Sequence, residues 1–140
     1  FQSMLDLGTG TGRLLEIFAP LYRRGVGIDM SRDMLAVARA NLERAHVTNV
    51  SVDQGDAVRG WPLHAPYDVI VVTGSLPMLP HELLAQLKLG GRLCAIVGDA
   101  PAMTAQLVTC TAEGAYQTVN LFETNVAPLD NAPRKDRFVF

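Results

Sequence analysis

Three glycines at alternate positions, Gly8, Gly10 and Gly12, follow an apolar run in the stretch LDLGTGTGR, residues 5–13. A glycine turn between a strand and a helix lets the backbone approach a ligand closely and suits a nucleotide-like cofactor. A dinucleotide turn has the spacing GxGxxG, with pyrophosphate on the helix N-terminus. Here the spacing is GxGxG, and Arg13 stands where the last glycine of that pattern falls. Asp6 lies inside the motif. A carboxylate there repels pyrophosphate and is expected to suit a cationic amino group.

Two further acids extend the pattern. Asp29 ends the run GVGIDM (25–30), and its two oxygens can accept both hydroxyls of a ribose. Met30, beside it, is expected to lie on a purine face. Asp56 and Ala57 end NVSVDQGDA (49–57), where a carboxylate can accept from an exocyclic amine. Thr73, Gly74 and Ser75 close another apolar run and either line the acceptor side or form a turn satisfied by its own hydroxyls. Trp61 either covers the adenine or packs a loop. The expected cofactor-binding residues are therefore Asp6, Gly8, Thr9, Gly10, Gly12, Asp29, Met30, Asp56, Ala57 and Thr73. They provide for an amino group, a ribose and an adenine, with no place for a second nucleotide. No catalytic residue stands out. His46, His64 and His81 do not cluster, so no metal site is expected. Cys94 and Cys110 have no CxxC partner and read as reduced core thiols of a cytoplasmic protein.

The elements that must position these residues alternate. Strands are expected at 4–7, 25–30, 49–57, 67–74 and 92–99. Helices are expected after the glycine turn, ending near Ala19 before Pro20, at 31–46 with Ser31 as N-cap, and from Pro80 to Gly90-Gly91. Leu83, Leu84 and Leu87 mark the core face of the last helix, and Leu14, Leu15, Phe18 and Leu21 that of the first. MTAQLVTCT and AYQTVNLFET flank AEG as a hairpin with Gly114 in the turn. This order predicts an α/β fold: a mostly parallel, doubly wound sheet with helices on both faces and a C-terminal antiparallel hairpin. The 140 residues, 49% hydrophobic, suit a single domain, 1–140. A net charge of −2 and scattered basic residues argue against nucleic acid and anionic membrane as partners. Phe1-Gln2-Ser3 reads as a tag scar, with the fold expected to begin at Met4.

At these residues the chain resembles class I S-adenosylmethionine-dependent methyltransferases. LDLGTGTG resembles their motif I, Asp29 their ribose-binding acid and GDA (55–57) their adenine-contacting turn. Residues 58–140 are similar to the C-terminal half of bacterial protein-L-isoaspartate O-methyltransferases. The stretch RLLEIFAPLYRRGVGIDMSRDMLAVARANLERA more closely resembles methyltransferases associated with arsenic-type regulators, which raises the expectation of a chimera. The resemblance implies a Rossmann-like methyltransferase fold with a seven-stranded sheet. It implies S-adenosylmethionine as cofactor, S-adenosylhomocysteine as product, and a peptide or protein carboxylate as acceptor. Those enzymes carry a segment before motif I with a Ser-containing loop near the acceptor, and here few residues precede it. The expectation is a chain that binds cofactor and methylates poorly, and that self-associates as a homodimer through apolar surface uncovered beside the first strand. The alternatives are a cofactor-binding module without activity and a nicotinamide-dependent oxidoreductase, which Arg13 and Asp6 disfavour.

Overall fold

The computed structural model describes residues 1–56 and 58–129. Seven strands form one sheet: β1 (Ser3–Leu7), β2 (Arg24–Asp29), β3 (Val50–Gln54), β4 (Tyr67–Leu76), β5 (Leu87–Asp99), β6 (Ala102–Ala112) and β7 (Ala115–Thr124). Their order across the sheet is β3-β2-β1-β4-β5-β6-β7. Strands β1 to β5 pair in parallel, and β6 and β7 add on antiparallel. The chain first winds outward from β1 to β3, then crosses back to β4 on the other side of β1. A crevice therefore opens at the carboxyl ends of β1 and β4, where ligands bind in sheets of this kind.

Alternation along each strand separates two cores. Leu5, Leu7, Val26, Ile28, Ile70 and Val72 face one side and join Leu83, Leu93 and Val108. Met4 faces the other, with Leu15 of α1 (Arg13–Phe18) and Leu35 and Leu42 of α2 (Arg32–Arg44). Helix α2 begins as its sequence predicts. Ser31 Oγ accepts from the Met34 N–H at 3.2 Å, Asp33 lies in the first turn, and Leu35, Ala38 and Leu42 are buried.

Several expectations need correction. The helix expected from Pro80 to Gly91 is a single turn, α3 (His81–Leu84), and Leu87 already pairs with Tyr67 in β5. The Tyr67 N–H donates to the Gln86 carbonyl at 2.7 Å, which turns the chain into the sheet three residues after Leu83. Helices thus cover one face, while a loop with a 3-10 turn (Pro62–His64) and α3 cover much of the other. Leu21 lies beyond the end of α1 and is 55% exposed. Residues 1–3 belong to the fold: Ser3 is in β1, and the Phe1 and Gln2 carbonyls accept from the Arg23 and Arg24 N–H groups. Met4, Leu5 and Leu7 are fully buried in the middle of the sheet, while Phe1, just before β1, is 47% exposed. The large exposed apolar side chains include Val119, Leu121 and Phe122 on β7. Among the described residues no helix is long and apolar enough to cross a membrane.

Candidate cofactor site

The glycine turn sits at the crevice. Gly8, Gly10 and Gly12 all have left-handed backbones, with φ of +75°, +56° and +78°, which explains glycine at each alternate position. The turn docks on the end of β2, where the Gly8 and Thr9 N–H groups both donate to the Ile28 carbonyl, at 2.8 and 3.0 Å. Gly27 permits this approach, because a Cβ there would stand 2.8 Å from Thr9 Oγ1 and 2.7 Å from Leu15. Gly12 ends the turn and leads into α1.

Asp29 is held as a bidentate acceptor. Its Oδ2 takes the Gly10 N–H and its Oδ1 the Ser31 N–H, both at 2.9 Å. Each oxygen keeps a further lone pair, so the carboxylate is oriented before any ligand arrives. Met30 follows, 41% exposed, with its carbonyl accepting from Gln54 Nε2 at 3.1 Å. The Gly55 N–H donates to the Asp29 carbonyl at 3.1 Å and brings the 54–56 turn alongside. Asp56 is exposed there, its Oδ1 accepting the Val58 N–H at 3.2 Å. Ala57 lies outside the described residues.

Across the crevice, Thr73 is exposed near the end of β4, and its Oγ1 stands 2.6 Å from the Gly8 carbonyl and 3.0 Å from that of Leu7. It ties β4 to the glycine turn. Ser75 is buried. Its N–H donates to the Ala127 carbonyl, and its carbonyl accepts from the Leu129 N–H. The returning segment lays Leu129 against Gly8 and Gly74. A cavity of about 440 Å³ opens beside it, between Ser75, Pro77, Asp99, Met103 and Asn125.

Asp6 lies deeper than the other acids of the motif. It is fully buried on the α1 face of β1, beneath the turn. Oδ2 accepts from Thr9 Oγ1 at 2.8 Å, and Oδ1 is buried with no partner among the described residues. Burial raises its pKa to about 6; the Thr9 bond opposes this and the charge of Asp29 adds to it. The same burial, with the Asp6 charge nearby, pushes Tyr22 up to about 12. Asp6 therefore shapes the turn from below. Two contributors escaped the sequence: Gln54, whose side-chain amide fixes the end of β2, and Leu129, which arrives from far along the chain. A polar residue ending a strand one step from a glycine was the available signal for Gln54. Leu129 has no local signal.

The doubly wound sheet, the three left-handed glycines and the bidentate acid at the switch point together define a Rossmann-like methyltransferase domain. The sequence model of the protein-L-isoaspartate(D-aspartate) O-methyltransferase family matches residues 1–132, and the chain belongs to that family. The match runs through both halves of the chain. The protein-L-isoaspartate O-methyltransferase of Trichlorobacter lovleyi is 40% identical over 111 residues, covering 79% of this chain and 51% of that protein. That of Methanoculleus marisnigri is 40% identical over 127 residues, covering 90% and 57%. A solved protein-L-isoaspartate O-methyltransferase superposes with a TM-score of 0.80 at 27% identity, over 90% of this chain and 41% of the other. The fold also matches a Plasmodium falciparum structure described as a putative protein-L-isoaspartate O-methyltransferase in complex with S-adenosyl-L-homocysteine (TM-score 0.76, 18% identity, 91% of this chain and 65% of that one). The chain thus spans about half the length of the curated relatives it matches.

Proposed function

We propose that this chain is the cofactor-binding part of a protein-L-isoaspartate O-methyltransferase, with S-adenosylmethionine as cofactor and S-adenosylhomocysteine as product. The observation that carries the reading is Asp29, whose carboxylate is aimed by the Gly10 and Ser31 N–H groups at the crevice end of β2. A ribose diol meets two spare lone pairs there. Met30 and the exposed Asp56 flank it for the base, and the left-handed glycines leave no Cβ between the turn and the aminoacyl end. Bound there, the cofactor supplies a sulfonium methyl for in-line transfer. The chain's share is to hold and orient it and to limit water, a task that needs neither metal nor covalent intermediate.

The acceptor in this reading is the α-carboxylate of an isoaspartyl residue. The cavity beside Ser75 and Met103, on the β4 side of the crevice, is where its flanking peptide lies. Dimerisation, in the same reading, uses the exposed apolar side chains of β7. Two free thiols fit a cytosolic setting. The alternative reading is a module that binds the cofactor without turnover.

Calorimetry with S-adenosylhomocysteine and with NAD, paired with a methylation assay on an isoaspartyl peptide, separates these readings. The expected result is S-adenosylhomocysteine binding and no NAD binding. Turnover of the peptide selects the enzyme, and binding without turnover selects the module. NAD binding in place of S-adenosylhomocysteine overturns both.

A further inference from the structure

The loop between β3 and β4 carries the chain's single tryptophan. Its ring does not stand free in the crevice. It packs against Gly55, with Cζ3 and Cη2 2.5 and 2.8 Å from the point where a Cβ on Gly55 would be. Only glycine leaves room for the ring at that place. Gly55 in turn donates its N–H to the carbonyl of Asp29, so the ring backs the turn that adjoins the proposed ribose acid.

The backbone that carries the ring is itself held from behind. The Trp61 backbone N–H donates to Gln86 Oε1 at 2.8 Å, and Gln86 Nε2 donates to the Arg59 carbonyl at 3.0 Å. The Tyr67 hydroxyl donates to the Trp61 carbonyl at 2.6 Å. Gln86 is buried, and its side-chain amide occupies the space a Cβ on Gly60 would need. A continuous series of contacts therefore runs from Gln86 through Trp61 and Gly55 to Asp29. The indole Nε1 is buried with no hydrogen-bond partner among the described residues, so the ring acts by shape and not by its polar atom.

We infer that Trp61 is a positioning residue for the ribose and adenine end of the cofactor site, acting through Gly55, and that Gln86 fixes Trp61 in place. This rests on the proposal that the crevice binds S-adenosylmethionine. Removing the ring leaves the 54–56 turn without backing, and the carbonyl of Asp29 loses a donor held in place. The aminoacyl end, formed by the glycine turn, is built on separate contacts to Ile28 and is left alone.

The test is calorimetry with S-adenosylhomocysteine and with adenosine, which carries only the ribose and base, on the parent, Trp61→Ala, Trp61→Phe and Gln86→Ala, each checked for folding by circular dichroism. Trp61→Ala is expected to weaken both ligands by the same factor, roughly tenfold for a displacement of this kind. Trp61→Phe, which deletes no hydrogen bond, is expected to restore parental affinity. Gln86→Ala retains the tryptophan, and its emission is expected to shift to the red before ligand is added, with both ligands weakened. A folded Trp61→Ala that binds both ligands as the parent does overturns the inference. Should that variant not fold, a Gln86→Ala protein with parental emission and parental affinities overturns it equally. A parent that binds neither ligand is a different result and removes the proposed function, together with what is built on it.

Discussion

Asp6 and Asp68 stand on neighbouring strands at opposite ends of the sheet, and their surroundings are opposite too. Asp68, near the start of β4, gathers donors on one oxygen: the Gln2 and Ser3 N–H groups at 2.9 and 3.0 Å and Lys88 Nζ at 3.2 Å. Burial works to raise its pKa, but the two N–H groups and the Lys88 charge outweigh it and hold the carboxyl below the usual range. Asp6, at the crevice end of β1, has the Thr9 hydroxyl on one oxygen and nothing on the other among the described residues. Burial dominates there and lifts it to about 6. One end of the sheet surrounds its acid with donors and gains stability. The other keeps an acid at a cost, below a turn whose glycines are shaped for a ligand. Strain and perturbed acids gather where function is expected, and here the contrast lies within a single pair of strands.

The comparison can be broken in four ways. The largest expected effect is on binding. Asp29→Ala removes the acceptors of the Gly10 and Ser31 N–H groups and of the ribose, and is expected to weaken S-adenosylhomocysteine by about 100-fold, near 3 kcal/mol. Asp68→Ala, at the other end, is expected to leave that constant within about threefold by the same calorimetry.

Next comes the pH dependence set by Asp6. Its folded pKa lies above the ordinary 3.8, so its favourable contribution is complete below about pH 4 and is lost as pH rises through about 6. The loss is on the order of 2–3 kcal/mol. Asp6→Asn, a neutral side chain that still accepts from Thr9, is expected to flatten this slope and to be the more stable protein at pH 8. Urea unfolding at pH 4 and pH 8 reads both, and parallel slopes for parent and variant would rule out the buried charge as their cause.

Asp68 carries the reverse sign. Its pKa is lowered, so its contribution is present above about pH 4 and disappears as the pH falls. Asp68→Asn is expected to cost about 1 kcal/mol at pH 7, because the carboxylate is partly solvated, and progressively less as the pH falls below about 4. A loss that persists unchanged at pH 3 would mean that packing, not charge, anchors this end. The smallest effect belongs to the surface. Arg59 and Glu82 approach only to 4.0 Å, with side chains 80% and 57% exposed, and Glu82→Gln is expected to change the unfolding free energy by less than about 0.5 kcal/mol.

Much of this site was readable in advance because its requirements are local. Alternate glycines in a turn signal left-handed backbone at each one, and all three have it. A serine cap following the acid that ends a strand predicts the start of α2, and the cap at Ser31 does start that helix. The depth of Asp6 was not legible, because it depends on which face of β1 the residue takes. It alternates with Leu5 and Leu7 and shares a face with Met4, and the burial of that face is decided by α1 and α2, which the motif itself does not describe. The region 80–91 was misread for a different reason. Leu83, Leu84 and Leu87 suit a helix face equally well as one turn followed by a strand, and the deciding bond, from the Tyr67 N–H to the Gln86 carbonyl, joins distant residues.

Leu129 gives the glycine turn an order in time. It lies against Gly8 and Gly74, and the adjoining Ser75–Pro128 bridge brings a late segment of the chain to the carboxyl end of β4. During synthesis Gly8 is joined to the chain more than a hundred residues before Leu129. The parallel strands β1 to β4 can pair before then, but the wall of the crevice over Gly8 cannot form until the whole span between has been made. Contacts this far apart in sequence form slowly, since a long loop must close before they stabilise anything. A nascent chain ending before β7 therefore presents a glycine turn without its cover, although the motif itself is already made.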